Sequence, residues 1–486
     1  MKKVFSITIL LFLLVAASFA GATYWFGVEA EQQYRETLEQ ASQSIYIHAA
    51  NESYDRGFLR SKAHTAVKIR DLSRGSEQQE EFLGFTLIHD IRHGPLPVGG
   101  LPDGKMQLKP VLAIIDTRIE LDPDTQGRLK KTFDVLPEIA SMENCTTLSI
   151  GGNGETRLVI PPLRQTLGKD KKVSLDWKGL TASMTFTADF KGYTGTLSAP
   201  GLEIVGDDGI LEIQGLASTF DTHEGVSGLF LGDASVDLAH FQIQQKENGE
   251  KKRFSMDGLK MTTISQAFTD TVNYSMAFRI DQAITDDTSY GPGTCELEIR
   301  KLDTASLAEL QQVFQELEDQ FPHRSIEEIN QMMLAKYAAI LPGLIKQSPE
   351  IEITQLSLKT TDGDFLGKAK IVFDGTNAAA MTNPLFLLSA LTTHAEFTIT
   401  DSMLHRIHES SHRQKIAEAV RQGKVEPLSD EEIKALAQTR SKESLETLVA
   451  QNILIYEDGN YKASADYQQG RIMLNGRPLT LQDLLQ

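Results

Sequence analysis

Along most of the chain beyond residue 55, apolar and polar side chains alternate with a period of two. In the segment GLTASMTFTADF (179–190), apolar side chains take every second position from Leu180 to Phe190. Successive side chains of a strand point to opposite faces, so this pattern predicts a strand with one buried face. The same alternation recurs at 202–204, 211–213 and 234–238. Gly- and Asp-rich turns such as VGDDGI separate several of these segments, which indicates an antiparallel meander.

Helical patterns interrupt the strands. Apolar side chains recur at steps of three and four in 304–320 and 326–341, and a capping box at 325–328 precedes the second stretch. Pro342, followed by Gly, predicts the end of that helix. The highly charged stretch 402–450 is also predicted to be helical.

Turn dipeptides mark hairpins in the remaining C-terminal strands, at Asp362-Gly363, Asp458-Gly459 and Asn475-Gly476. The predicted fold class is therefore α+β with strand in the majority. We expect a long curled antiparallel β-sheet with packing helices, preceded by one N-terminal transmembrane helix.

The N-terminal segment VFSITILLFLLVAASFAGATYWFGV (4–28) carries no charge and follows two lysines. As a helix it would reach roughly 37 Å, enough to cross a bilayer, and Tyr24, Trp25 and Phe26 are predicted to form an aromatic belt at its far end. The alternative is a signal peptide cleaved before Gly21. Both interpretations export the rest of the chain. The lysines before the span and the acids after it place the N-terminus in the cytoplasm. No second apolar stretch approaches spanning length, so the predicted topology is single-pass.

The predicted organisation is an anchor at 1–28, a juxtamembrane helix at 29–50, an antiparallel β region at 51–300 and an α+β region at 301–486 that continues the same sheet. The juxtamembrane helix has a narrow apolar stripe, formed by Ala30, Tyr34, Leu38, Ala41 and Ile45. Such a stripe either packs on its own domain or forms a dimerisation seam near the membrane.

The formal net charge is −18, from 48 basic and 66 acidic side chains. A field of that sign repels phosphate backbones, so nucleic acid is excluded as a partner. The two cysteines, Cys145 and Cys295, lie in the exported portion and lack metal-ligand spacing. A disulfide between them is a candidate in an oxidising compartment.

The segment HDIRHGPLP (89–97) has the outline of the H-E-x-x-H zinc-hydrolase signature, in which two His four residues apart share one face of a helix. Here Gly94, Pro95 and Pro97 would end a helix at once. In a strand His89 and His93 would be about 13 Å apart, too far to bind one ion. We therefore expect this segment to end a strand rather than to bind zinc.

Two other motifs give no better indication of catalysis. His405, His408 and His412 share one face of a predicted helix with Glu409 and could hold a surface metal, but a solvated polar face is the simpler interpretation. The glycines of GGNGETR (151–157) lack the Lys-Ser/Thr of a phosphate-binding loop. The sequence thus predicts no catalytic residue, no cofactor and no metal site.

Several segments, in order, resemble the YdgA-like family of bacterial proteins: YDRGFLRSKAHTAVKI (54–69), IRHGPLPVGG (91–100), LDWKGLTASMTFTADFKGYTGTLSAPGLEI (175–204), GVSGLFLGDASVDLAHFQI (225–243) and GRIMLNGRPL (470–479). The most recognisable mark is the motif His93-Gly94-Pro95-Leu96-Pro97. This resemblance implies an inner-membrane protein with a single span, a periplasmic domain of unknown function and a homodimer. It implies no catalytic residues.

We therefore expect a non-enzymatic protein with an interaction or scaffold role in the cell envelope. The first alternative is binding or transfer of a lipid or other apolar ligand in a groove of the sheet. The second is a zinc-dependent hydrolase at His89 and His93.

Overall fold

The structure is a computed structural model, which describes residues 2–41, 47–70, 82–96, 110–133, 142–167, 173–247, 250–285, 288–320, 326–382, 384–422, 425–468 and 470–479. The side chains of residues 2–17 lie outside this description. The chain divides into two compact units, one formed by residues 1–224 and 311–335 and the other by 225–310 and 336–486. This division lies elsewhere than the predicted boundary at residue 300.

The elements up to residue 224 are α1 (Lys2–Ala41), β1 (Ile47–Asp55), β2 (Arg60–Arg70), β3 (Phe82–His93), β4 (Ala113–Leu121), α2 (Pro123–Phe133), β5 (Glu143–Leu148), β6 (Gly154–Ile160), β7 (Leu163–Leu167), β8 (Val173–Trp177), β9 (Leu180–Phe186), β10 (Gly192–Gly206) and β11 (Gly209–Glu224). Strands β1 to β6 pair antiparallel in chain order. The sheet continues through β9, β10 and β11, while β8 joins β7 to β10.

Helix α1 lies on one face of this first sheet. Its Phe26 is buried against Leu112 and Leu148, and its Ala30 packs on Ala63 and Ile91. These contacts make the second half of α1 part of the core of the first unit, since large and small apolar side chains interlock there.

The elements after residue 224 are a 3-10 turn (Val226–Gly228), β12 (Phe230–Glu247), β13 (Glu250–Ala267), β14 (Thr271–Ile280), β15 (Gln282–Thr285), β16 (Thr288–Asp303), α3 (Thr304–Gln320), α4 (Ile326–Ile345), β17 (Glu350–Thr360), β18 (Gly363–Phe373), α5 (Ala378–Thr382), a second 3-10 turn (Pro384–Ala390), β19 (Leu391–Thr400), α6 (Asp401–Arg421), α7 (Asp430–Ala450), β20 (Ile455–Glu457), β21 (Asn460–Gln468), β22 (Arg471–Leu474) and β23 (Arg477–Leu479). The main ladder is antiparallel and runs β12, β13, β14, β16, β17, β18, β19, β21, β22, β23.

The second sheet separates apolar from charged side chains. In register across β12 to β17, one face carries the row Val236, Met261, Phe278, Cys295 and Leu356. The opposite face carries cross-strand ion pairs, of which Asp237–Lys260 and Arg279–Glu296 are two. Opposite charges on neighbouring strands stabilise a solvated face, so the alternation of the sequence is realised as one apolar and one ionic surface.

The apolar face of the second sheet is covered at one end by helices. Met403 of α6 and Leu445 of α7 are buried against Ile399 and Tyr461 of strands β19 and β21. Leu307 of α3 packs near the other end, against a cluster that includes Val272. The antiparallel, strand-dominated α+β fold predicted from the sequence is confirmed.

The apolar pattern of the β12–β13 pair changes phase once along the strands. In β12 Val236 and Leu238 take alternate positions and the pattern resumes at Phe241, while the register with β13 is continuous. The change falls opposite Gly258, whose φ is +64°. That conformation strains residues with a Cβ but not glycine, so a larger side chain would be unfavourable at this position of the 18-residue strand β13.

Four predicted details differ from the structure. The predicted helix 29–50 ends at Ala41, and 47–50 form a strand because they pair with β2; Ile45 lies outside the described residues. The predicted strand 179–190 ends at Phe186, where Thr187 accepts hydrogen bonds that close a turn. Helix α4 continues past Pro342 to Ile345, since a proline so near the end removes little helical bonding. The aromatic belt is divided: Phe26 is in the core, whereas Tyr24 and Trp25 are exposed.

In the described part of the chain, no helix is both long enough and apolar enough to cross a membrane.

The capping box at 325–328 begins with a residue that lies outside the description. The hairpin turns at Asp458-Gly459 and Asn475-Gly476 are confirmed, with positive φ at all four residues, as a tight two-residue turn requires.

Candidate functional site

A group of hydrogen-bonded polar side chains in the first unit lies beneath helix α1. Strand alternation directs His89, Ile91 and His93 of β3 to the face that α1 covers. The neighbouring strands add hydroxyl side chains on the same face. We call this group the α1 docking layer; its members are Gly27, Tyr34, Ser61, Thr65, His89, His93 and Thr117.

His93 is held on both ring nitrogens. Its Nε2 lies 2.9 Å from Ser61 Oγ, and its Nδ1 lies 3.4 Å from the carbonyl oxygen of Phe58. A carbonyl oxygen only accepts, so Nδ1 carries the proton and Nε2 accepts from the serine hydroxyl. Burial lowers the pKa of His93, and the Phe58 carbonyl opposes that shift. The imidazole is therefore held neutral in one tautomer.

Gly27 of α1 lies directly on this imidazole. A Cβ at residue 27 would lie 2.7 Å from His93 Nδ1 and 2.8 Å from its Cε1. Both distances are shorter than van der Waals contact, so only glycine allows the helix to approach this closely.

His89 forms the second half of the layer. Its Nδ1 lies 2.9 Å from Thr117 Oγ1 and its Nε2 lies 3.0 Å from Thr65 Oγ1. Thr65 Oγ1 also lies 2.7 Å from the hydroxyl of Tyr34 on α1. Burial, followed by the neighbouring His64, lowers the pKa of His89 to about 4. A chain of hydrogen bonds thus joins the helix to three strands of the sheet.

The Ser61–His93 pair has the spacing of a nucleophile and its general base. However, Ser61 is 1% exposed and His93 is 2% exposed, because α1 covers them. A substrate has no route to Ser61 Oγ in this arrangement. The hydroxyl and imidazole instead satisfy one another under the helix, as buried polar groups must.

The geometry of His89 and His93 differs from that of the zinc-hydrolase signature. Both side chains lie on a strand rather than on a helix, so the assumption behind the zinc-hydrolase alternative is wrong. All four ring nitrogens have hydroxyl or carbonyl partners. Within the described ranges, no group of three or more His, Cys, Asp or Glu side chains could hold a metal ion.

The family motif lies at the end of β3, as predicted. The strand ends at His93, and the backbone N–H of Gly94 then donates to the carbonyl of Leu112 at 2.7 Å. The next hydrogen bond runs from Val111 N to the Pro95 carbonyl, at 3.0 Å. Leu96 is exposed, and Pro97 lies outside the described residues.

The histidine row of α6 is not the solvated face that the sequence predicts. His405, His408 and His412 are half-buried, and the hydroxyl of Ser441 on α7 donates to the His405 carbonyl at 3.3 Å. Ile407 of the same helix is exposed. Burial, followed by the neighbouring histidines, lowers the pKa of His408. The row therefore faces the α7 side of the helical pair.

The cysteines belong to different units. Cys145 is buried in the first and Cys295 is half-buried in the second. The disulfide between them stays a prediction.

Sequence reasoning found His89 and His93 but missed Tyr34, Ser61 and Thr65 as their partners. The signal was present in the segment SKAHTAV (61–67), where Ser61, Ala63, Thr65 and Val67 take alternate positions. Alternation indicates that these side chains share a face. It does not indicate which distant element covers that face.

Comparison with known proteins agrees with the resemblance seen in the sequence. Protein YdgA of Escherichia coli (strain K12) is 22% identical over 500 residues, which cover 96% of this chain and 92% of that protein. No solved structure matches the chain. The profile of a family described as "Bacterial protein of unknown function (DUF945)" matches residues 1–482. The chain therefore belongs to this DUF945 family of bacterial proteins of unknown function.

Proposed function

We propose that this chain is a non-enzymatic, single-pass protein of the bacterial inner membrane, with residues 4–21 in the bilayer and both β units in the periplasm. Its role would be that of an interaction or scaffold protein of the envelope. The carrying observation is that α1 is one helix from Lys2 to Ala41, whose buried residues Thr23, Phe26 and Ala30 belong to the first unit.

The length of the remaining part of α1 supports this proposal. Residues 4–21 carry no charge and span about 27 Å as a helix, close to the thickness of a bilayer core. Because the following turns are docked on the sheet, a membrane that holds residues 4–21 also fixes the orientation of the first unit. The docking layer would then serve attachment rather than catalysis.

Carbonate extraction of membranes from cells that express the full chain tests this proposal. We expect the wild-type chain to resist extraction, and the double variant Leu11→Arg/Leu14→Arg to be released, because charge in a bilayer core is costly. Val425→Arg, at an exposed apolar position, is the control and should resist extraction like the wild type. Release of the wild-type chain, or a mature N-terminus at Gly21, would refute the anchor.

Topology and self-association are tested on the same material. Protease added to spheroplasts should degrade the bulk of the chain only if it lies in the periplasm. A homodimer, which the family resemblance implies, should give a cross-linked species of twice the mass. Protection from the protease would refute the periplasmic location.

A second candidate function, binding of a lipid or other apolar ligand, is favoured by the apolar face of the second sheet. Val236, Met276 and Phe278 are between 37% and 41% exposed there. The groove of about 490 Å³ on this sheet is a poorer candidate, since Lys368, Glu396 and Lys462 contribute to its lining. Apolar area of this kind gains free energy when an acyl chain covers it.

A photoactivatable fatty acid tests this second function. We expect cross-links to peptides that contain Met276 and Phe278, and their loss in the double variant Met276→Asp/Phe278→Asp. The control is Ala277→Asp on the opposite face. Equal cross-linking of both variants would refute a ligand site on the apolar face.

A further inference from the structure

Five large apolar side chains are exposed around the position where α1 leaves the first sheet. Tyr24 and Trp25 belong to the helix, Phe58 and Leu59 to the connection between β1 and β2, and Leu96 to the segment after β3. Each is between 48% and 56% exposed. Together they form an apolar surface contributed by three separate segments of the chain.

Contacts of His93 bring these segments to one place. The imidazole lies against Gly27 of α1, two residues after Trp25. The backbone N–H of His93 donates to the Leu59 carbonyl at 3.0 Å, and its ring lies 3.4 Å from the Phe58 carbonyl. Leu96 follows three residues later in the chain. The contacts of His93 in the docking layer therefore hold the three segments that carry the exposed side chains close together.

Cations lie beside this surface but are already paired. The Arg56 guanidinium carbon lies 5.7 Å from the centre of the Tyr24 ring, and Arg56 Nη1 lies 3.3 Å from Glu31 Oε2. Arg60 forms an ion pair with Asp90. The exposed surface is therefore aromatic and aliphatic, and the arginines beside it add little net charge.

We propose that Tyr24, Trp25, Phe58, Leu59 and Leu96 form a membrane-interface surface that dips into the headgroup region of the bilayer, an inference that rests on the proposed anchor at 4–21. The chain itself indicates the partner: Tyr24 lies three residues beyond the proposed span at 4–21, on the same helix. Tyr and Trp favour the boundary between headgroups and acyl chains because each ring has an apolar body and a polar atom. The rim of the first sheet is thereby held against the membrane.

The paired charges determine which lipids this surface would prefer. A polybasic surface binds anionic lipid and weakens with salt, whereas an aromatic surface with paired cations gains its free energy from apolar burial. We therefore expect contact with neutral phosphatidylcholine vesicles, with no dependence on salt.

The two tryptophans, Trp25 and Trp177, allow a direct test. The full chain is reconstituted in phosphatidylcholine vesicles that carry a spin-label quencher either at the headgroup or at the middle of the acyl chain. In the variant Trp177→Phe, we expect the fluorescence of Trp25 to be quenched more strongly by the headgroup label. In the variant Trp25→Phe, Trp177 should be quenched by neither label. Equal exposure of Trp25 to water in the presence and absence of vesicles would overturn the proposal.

A second measurement separates the surface from the anchor. The triple variant Phe58→Ser/Leu59→Ser/Leu96→Ser, made in the Trp177→Phe chain, should still float with vesicles but lose at least half of the headgroup quenching of Trp25. The matched control, Ile69→Ser, changes an exposed side chain at the opposite end of β2 and should quench like its parent. Unchanged quenching in the triple variant refutes the surface and leaves the anchor. Failure of every variant to float refutes the anchor and the surface with it.

Discussion

The neutral state of His89 makes the stability of the first unit depend on pH. Burial lowers the pKa of this residue from 6.5 to about 4. Between these two values the unfolded chain binds a proton that the folded chain does not. The stabilising contribution of neutral His89 is therefore complete above about pH 6.5 and is lost progressively as the pH falls toward 4.

The magnitude follows from the two pKa values. A difference from 6.5 to about 4 corresponds to about 3 kcal/mol when the pH is below both values. Between about pH 7.5 and about pH 5, the expected loss is about 2 kcal/mol. The lowered pKa of His93 acts in the same direction, so the wild-type chain should lose more than His89 alone accounts for.

Urea unfolding followed by tryptophan fluorescence measures this loss, because Trp25 and Trp177 both belong to the first unit. The variant His89→Gln keeps a donor and an acceptor between Thr65 and Thr117 but does not titrate. We expect its free energy of unfolding to fall by about 2 kcal/mol less than that of the wild type over the same pH interval. His48→Gln, an exposed change on β1, should keep the wild-type dependence. The reasoning is refuted if His89→Gln and the wild type lose equal stability on acidification.

Three further substitutions test packing, charge and capping. Gly27→Ala should cost about 1–3 kcal/mol in the same fluorescence assay because its Cβ would meet the His93 ring, whereas Gly21→Ala, with open space around its Cβ, should cost nothing. Arg300→Met removes the guanidinium that pairs with Glu298, Glu350 and Glu352, and should speed hydrogen exchange in β16 and β17 by a factor that high salt reduces. Ser429→Ala should cost about 1 kcal/mol at the start of α7, measured by hydrogen exchange, because it removes one half of a capping box.

Local patterns predicted most of the elements because each depends on neighbouring residues. Alternation from Leu180 predicted β9, and Asp458-Gly459 predicted a turn that needs two positive φ values. Local patterns gave the wrong secondary structure where a strand distant in sequence determines it. Residues 47–50 fall within the predicted helix 29–50, yet they pair with β2, a partner that the local pattern does not reveal.

For the same reason, the sequence predicted the strand end at the candidate site but not the partners of its histidines. The prolines after His93 indicate that a strand ends there, and the structure agrees. The hydroxyl partners of both histidines lie on β2 and β4, which are far away in sequence. In the sequence, Gly27 is not distinguished from the other small residues of the apolar segment. The close approach of His93 in the structure shows why a larger side chain would not fit there.

The polar layer beneath α1 also fixes where the proposed membrane span ends and the docked part of the helix begins. A uniformly apolar interface would allow α1 to slide along the sheet by one turn with little loss of burial, whereas a shift of one turn would separate Tyr34 from Thr65 and move a larger side chain onto His93. Each unpaired buried group would then cost about 1–3 kcal/mol. A register fixed in this way holds Trp25 at a constant position relative to Phe58, Leu59 and Leu96, which the proposed membrane-interface surface requires.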